Sequence, residues 1–115
     1  MQEARSFINR TLQKTRSDAK CRRNLEFTID TDYVMDLLEQ QNGVCALSGW
    51  TLEFERGGTY KGNKNPKGCT VDRIDNAKGY IKGNIQLTCT LPNYLKSDMD
   101  IAQFRSLCKA IGERG

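Results

Sequence analysis

The sequence predicts an α+β fold, and three observations lead there. Apolar residues recur at helical spacing near the N-terminus, around residues 31–41 and again from 101 to 111. Two β-prone runs, 69–75 and 80–88, are separated by a turn-forming stretch at 76–79. The 115-residue length suits one domain. The expected architecture is a hairpin-plus-helix core flanked by an N-terminal basic helix, a second helix and a C-terminal helix.

Residues 3–20 read as a helix with Phe7, Ile8 and Leu12 on one stripe and most basic residues off it. Residues 26–30 (E-F-T-I-D) alternate, as a short strand or an extended lead-in would. Thr31 has N-cap chemistry, with Asp32 in the first turn. Val34, Leu37, Leu38 and Gln41 follow at helical spacing, and Gly43 ends that helix. Residues 44–54 hold strand-like pieces broken by Ser48 and Gly49. Residues 56–68 form a polar loop punctuated by Gly and Pro. Residues 90–96 make a short helix with Pro92 tolerated in its first turn. Ser97 and Asp98 restart the chain, and Ile101, Phe104, Leu107 and Ile111 trace the last helix to Gly112.

The net charge of +4 is unevenly spread. Residues 1–24 carry seven Lys/Arg against Glu3 and Asp18, a net of +5, while the rest of the chain nets −1. This marks residues 1–24 as a basic N-terminal helical arm and residues 25–115 as the remainder of a single compact domain. A second basic stretch runs through Arg56, Lys61, Lys64 and Lys67 without an intervening acid. Two basic elements on a small domain fit a polyphosphate partner. The candidate nucleic-acid contacts are Arg16, Lys20, Arg22 and Arg23, then Lys61, Lys64 and Lys67, then Arg73, Lys78 and Lys82 of the hairpin. A polyphosphate backbone is the partner that these charges fit, and a protein partner stays open. No apolar run approaches the roughly 20 residues of a membrane span, so a membrane-spanning helix is excluded. The first residues lack a signal-peptide core, and the five cysteines are odd in number and widely spaced. Both features point to reduced thiols in a reducing compartment, a cytoplasm, and not to secretion. The chain contains no histidine, which removes the commonest general base and the commonest zinc ligand.

The densest polar chemistry lies in residues 69–96. Asp72 sits between Val71 and Ile74 on a β-prone run, Asn84 on the returning strand and Asn93 on the following helix. A strand carboxylate meeting a helix carboxamide offers two hard oxygen donors, suited to Mg²⁺, Mn²⁺ or Ca²⁺ with water and phosphate completing the shell. Lys96, one turn after Asn93, is placed on the same side of that helix. There it would offset charge on a phosphoryl transition state.

At these positions the chain resembles the HNH, or ββα-metal, nuclease family. The family pattern is D-H-[IV], then Asn, then N-L-x-x-L-C-x-x-C-H-x-x-K. The sequence reads Asp72-Arg73-Ile74, then Asn84-Ile85-Gln86-Leu87-Thr88-Cys89, and ends on Asn93-Tyr94-Leu95-Lys96. Asn84 and Asn93 are nine residues apart, the family's spacing between its central Asn and its last metal ligand. The segments A-K-C-R-R-N-L-E-F-T-I-D, G-V-C-A-L-S-G-W-T-L and D-R-I-D-N-A-K-G-Y-I-K-G-N-I-Q are similar to small phage-type members over most of the chain. The resemblance implies an HNH-like ββα-metal domain over 25–115 that hydrolyses DNA phosphodiesters with Mg²⁺ or Mn²⁺. Its catalytic set would be Asp72, Arg73, Asn84, Asn93 and Lys96. Asp72 and Asn93 would hold the metal, Asn84 would fix the hairpin loop through its backbone, and Lys96 would lie near the scissile phosphate.

Two departures qualify that reading. Arg73 stands where the family has its general-base His, and a guanidinium cannot take a proton from water. Either the metal alone activates the water, or Asp75 is the base, or the site is disarmed with Arg73 holding a phosphate. Asp75-Asn76 is also ordinary turn chemistry. Secondly, the two C-x-x-C knuckles of zinc-bearing relatives are here Cys45-Ala-Leu-Ser48 and Cys89-Thr-Leu-Pro92. Each keeps one thiol, which argues against structural zinc and for Cys45 and Cys89 as small buried groups. Three functions follow: a metal-dependent DNA endonuclease, a weakened or inactive nucleic-acid-binding protein on the same fold, and a phage-type protein-binding inhibitor or adaptor.

Overall fold

A computed structural model describes residues 2–55 and 65–114, except for the side chains of Gln2, Arg22 and Arg23. The fold is α+β. In chain order it comprises α1 (Gln2–Asp18), α2 (Thr31–Gln40), β1 (Cys69–Arg73), β2 (Ile85–Cys89), α3 (Thr90–Lys96) and α4 (Ile101–Arg114).

Ala4, Ile8 and Leu12 repeat every four residues and form the buried stripe of α1. The helix runs on into a wider π-type turn, Ala19–Arg23, and stops where Asn24 takes a left-handed conformation with φ 51°. The stripe packs on α2 and β1. The basic helix therefore shares the core of the domain, with its charges on the opposite side.

Asp30, not Thr31, caps α2. Its carboxylate accepts the Tyr33 N–H at 2.8 Å. The Thr31 hydroxyl instead donates to Asn9 on α1 at 3.1 Å. Of two adjacent candidates, the one with the acceptor three residues ahead of a free N–H takes the cap. Val34 and Leu38 are the buried face of α2. The strand-like pieces expected in 44–54 reduce to two single bridges, Val44 to Thr51 and Glu53 to Gly68. The lead-in at 26–30 likewise makes one bridge, Phe27 to Tyr80.

The sheet is the antiparallel pair β1–β2, in register from Cys69 opposite Cys89 to Arg73 opposite Ile85. Strand alternation divides its two faces. Cys69, Val71, Ile85, Leu87 and Cys89 join Ile8, Leu12, Val34 and Leu38 in the apolar core. Fully burying a side chain such as Leu87 stabilises by about 2–3 kcal/mol. The other face carries Thr70, Asp72, Gln86 and Thr88, and α3 packs across both strands there. The sheet is thus covered on both sides, apolar towards α1 and α2 and polar towards α3. The Thr88 hydroxyl is a buried side-chain atom with no hydrogen-bond partner among the described residues.

After α3, Ser97 turns the chain with φ 50°. α4 buries Phe104, while Leu107 and Ile111 are exposed. No helix among the described residues is long and apolar enough to cross a membrane.

Candidate metal and phosphate site

The connection between β1 and β2, residues 74–84, is long for a hairpin and is held by side chains. Asn84 is buried, and its carboxamide does three jobs. Its Oδ1 accepts the Asp75 N–H at 2.8 Å, and its Nδ2 donates to the carbonyls of Asp75 at 3.1 Å and Gly79 at 2.8 Å. Arg73, also buried, donates Nη1 to the carbonyls of Asn76 at 2.6 Å and Lys78 at 3.0 Å. Its guanidinium lies 5.6 Å from the centre of the Tyr80 ring. Gly79 presses against the Glu26 backbone, where any Cβ would collide. Hydrogen bonds from Tyr80 N to the Glu26 carbonyl at 2.7 Å and from Thr28 N to the Tyr80 carbonyl at 2.9 Å tie the loop to the segment before α2. The loop is therefore a fixed wall.

That wall, the end of β1 and helix α3 enclose a cleft of about 570 Å³. Asp72, Arg73, Asn76 and Tyr80 line it from the hairpin side, and Asn93, Tyr94, Leu95 and Asp98 from the helix side. The two oxygen donors singled out in the sequence, Asp72 and Asn93, thus share one cavity. Among the lining residues only Asp72 and Asp98 carry carboxylates. Asp98 was not anticipated as a site residue. Its only sequence signal is its place just after the short helix, where the chain turns back over the cleft.

Two expectations, for Lys96 and Arg73, need revision, and of the two readings of Asp75 the structure carries the turn. Lys96 does not share the position of Asn93. It is 1% exposed, and its Nζ meets Asp72 Oδ1 at 3.4 Å. An offset of three residues rotates a side chain by about 60° around the axis, enough to send Asn93 to the cleft and Lys96 to the sheet. Asp75 is exposed and accepts the Ala77 N–H at 2.9 Å. It is a turn residue and does not line the cleft. Arg73 spends Nη1 on loop carbonyls, so only the rest of its guanidinium is available to a phosphate. Among the described residues Nη2 and Nε have no hydrogen-bond partner.

Each oxygen of Asp72 has one partner. Gln86 Nε2 donates to its Oδ2 at 2.8 Å, and Lys96 approaches Oδ1. A carboxylate offers about four lone-pair sites, so acceptor capacity is left. Among the described residues no cluster of three or more His, Cys, Asp or Glu is placed to hold a metal. Asp72 and Asn93 together offer one carboxylate and one carboxamide to the cleft. That set fits a hard dication that keeps several waters, and the cleft has room for them, since a water occupies about 30 Å³.

Cys45, Cys69 and Cys89 are all buried and lie together, with no disulfide among them. Burial alone would raise the Cys45 thiol. The hydrogen bonds it accepts, from the Ser48 hydroxyl and the N–H groups of Cys89, Ser48 and Leu47, outweigh that and lower its pKa. Burial, then repulsion from Cys89 and Cys45, pushes Cys69 up to about 12. Burial and the neighbouring Cys45 push Cys89 up to about 11. These three are core thiols; Cys21 and Cys108 are exposed.

Of the candidate nucleic-acid contacts, Arg16, Lys20, Lys67, Lys78 and Lys82 are exposed. Lys67 sits 5.5 Å from the centre of Trp50, and Lys82 5.9 Å from that of Tyr33. Lys61 and Lys64 and the side chains of Arg22 and Arg23 lie outside the described residues.

No family model and no solved structure matches the chain. It is similar to an uncharacterized 29.0 kDa protein in the dda-modA intergenic region of Enterobacteria phage T4, with 33% identity over 96 residues. The match takes in 84% of this chain and 34% of the phage protein, so the chain spans about a third of that relative's length.

Proposed function

We propose that this protein is an HNH-like, divalent-metal-dependent DNA endonuclease built on a ββα-metal core. The observation that carries the reading is that Asp72 and Asn93 both line one cleft walled by the Asn84-clamped hairpin. Asp72 and Asn93 would hold Mg²⁺ or Mn²⁺, and that ion would polarise a phosphodiester and ease departure of its leaving oxygen. Arg73 also lines this cavity, and the guanidinium nitrogens not spent on the loop carbonyls would bind a phosphate oxygen, steadying the charge that builds during hydrolysis. Asp72 and Asp98 are the lining groups able to accept a proton from water. The exposed Arg16, Lys20, Lys67, Lys78 and Lys82 hold the DNA backbone without reading its sequence.

A second reading is a DNA-binding protein without catalysis on the same core. The hold of Arg73 on the loop carbonyls favours it, because the position next to Asp72 then serves architecture and supplies no base.

Supercoiled plasmid with Mg²⁺ or Mn²⁺ separates the two. Nicking that is abolished by EDTA and by Asp72→Asn supports the endonuclease. A salt-sensitive shift of DNA without cleavage in any divalent metal supports the binding protein. Neither cleavage nor binding leaves the protein-binding adaptor. Reversing the charges of Arg16 and Lys20 is expected to weaken binding and flatten its salt dependence.

A further inference from the structure

Lys96 is the largest of the fully buried side chains, and its ammonium meets one carboxylate, that of Asp72. A buried ammonium requires a counter-charge, and among the described residues it has this one alone. The contact of 3.4 Å is longer than the 2.7–2.9 Å of a tight charged hydrogen bond, so the pair is closed but not locked. The other oxygen of Asp72 is held by Gln86 at 2.8 Å. Asp72 in this state is therefore neutralised from within the protein.

We propose that Lys96 is an internal counter-cation that competes with a divalent metal for Asp72 and thereby sets the metal affinity of the cleft. The inference rests on reading Asp72 as a metal ligand. A dication bound to Asp72 sits about 2.1 Å from a carboxylate oxygen. With the ammonium on the same carboxylate, two like charges come within a few ångströms of each other in a buried setting, where repulsion is poorly screened. Metal binding must weaken the Lys96–Asp72 pair, and losing the pair must favour metal. Lys96 is on this argument a positioning residue: it holds Asp72 ready in the metal-free protein and lowers its affinity for metal. It touches neither water nor phosphate.

The test is Mn²⁺ binding to the full chain without DNA, followed by calorimetry and by the electron paramagnetic resonance of free Mn²⁺. Lys96→Met is expected to bind Mn²⁺ about tenfold more tightly than the unaltered protein, and Lys96→Arg, which keeps the charge, to bind as the unaltered protein does. Lys96→Met is also expected to melt lower without metal and to gain more in Tm from Mn²⁺. Lys96→Gln gives the same comparison should the Met variant fail to fold. Binding to the Met and Gln variants no tighter than to the unaltered protein overturns the inference while leaving the metal site standing. Absence of Mn²⁺ binding from every form, or binding untouched by Asp72→Asn, overturns the metal reading and the inference with it.

Discussion

Asn84 grips Asp75 from both sides: its carboxamide oxygen accepts the Asp75 N–H at 2.8 Å, and its nitrogen donates to the Asp75 carbonyl at 3.1 Å. A third bond, to the Gly79 carbonyl at 2.8 Å, spans the rest of the loop. Both groups of the carboxamide are therefore used, and no other short side chain presents a donor and an acceptor in that geometry. Asn84→Ala leaves the Asp75 N–H and the carbonyls of Asp75 and Gly79 without their partner and is expected to cost about 2–3 kcal/mol of unfolding free energy. Asn84→Asp keeps the acceptor but turns the donor into an oxygen facing two carbonyls, so it should be no milder. Urea unfolding of both variants checks this. A loss under 1 kcal/mol in each would show that the loop holds itself.

The Asp72–Lys96 pair predicts a strong non-additivity. Removing either partner strands the other as an uncompensated buried charge or polar group, at about 3–5 kcal/mol. Replacing both with apolar groups removes the charges together and should cost much less than the two single changes combined. Asp72→Leu, Lys96→Met and the double variant form a thermodynamic cycle. The expected coupling is about 2 kcal/mol or more, and a coupling near zero would mean that the two groups do not meet in solution. One consequence concerns the nuclease assay. Loss of nicking in an Asp72 variant counts only where circular dichroism shows the fold intact.

The elements that periodicity specifies were legible. The hairpin runs, the short helix after Cys89 and the three amphipathic helices follow from apolar spacing and punctuation. Phe7, Ile8 and Leu12 mark the stripe of α1 in the sequence, and the structure adds Ala4, a residue too small to stand out in a pattern. What was not legible depends on rotation and company. Thr31 and Asp30 are both cap-forming types, and only the tertiary bond from Thr31 to Asn9 separates them. Lys96 and Asn93 share a side on a coarse helical reading, yet the covered polar face of the sheet draws the lysine inward. Asp98 belongs to the cleft because Ser97 reverses the chain, which no local spacing encodes. Cys69 joins Cys45 and Cys89 only because β1 and β2 are in register there.

Arg73→His tests what the position next to Asp72 does. Imidazole is too short to reach both carbonyls that Arg73 holds, at Asn76 and Lys78, so the variant is expected to lose about 1–2 kcal/mol of stability. If the chain is the proposed endonuclease, the same variant supplies a base beside the cleft and nicks plasmid faster with Mg²⁺. The two readouts are independent. A drop in Tm without a gain in rate would restrict Arg73 to its structural role. A gain in rate would show that hydrolysis in the natural protein is limited by the missing base.

The buried thiols predict how stability responds to alkali. Cys69 and Cys89 are raised from an ordinary value of 9.0 to about 12 and about 11, so the folded state keeps both protons where the unfolded chain has released them. With fewer protons bound when unfolded, stability falls as pH rises. Their contribution is whole below about pH 9 and is lost progressively between there and pH 11–12, by up to about 1.4 kcal/mol per pH unit for each thiol. Lysines and tyrosines titrate in the same range, so the comparison must be between variants. Cys69→Ala removes the larger shift and is expected to flatten the decline between pH 9 and 11 by about one proton, at the cost of a lower plateau from lost packing. Urea unfolding at half-unit steps from pH 8 to 11 measures it. Parallel curves for the variant and the unaltered protein would show that the Cys69 thiol ionises as freely in the fold as outside it.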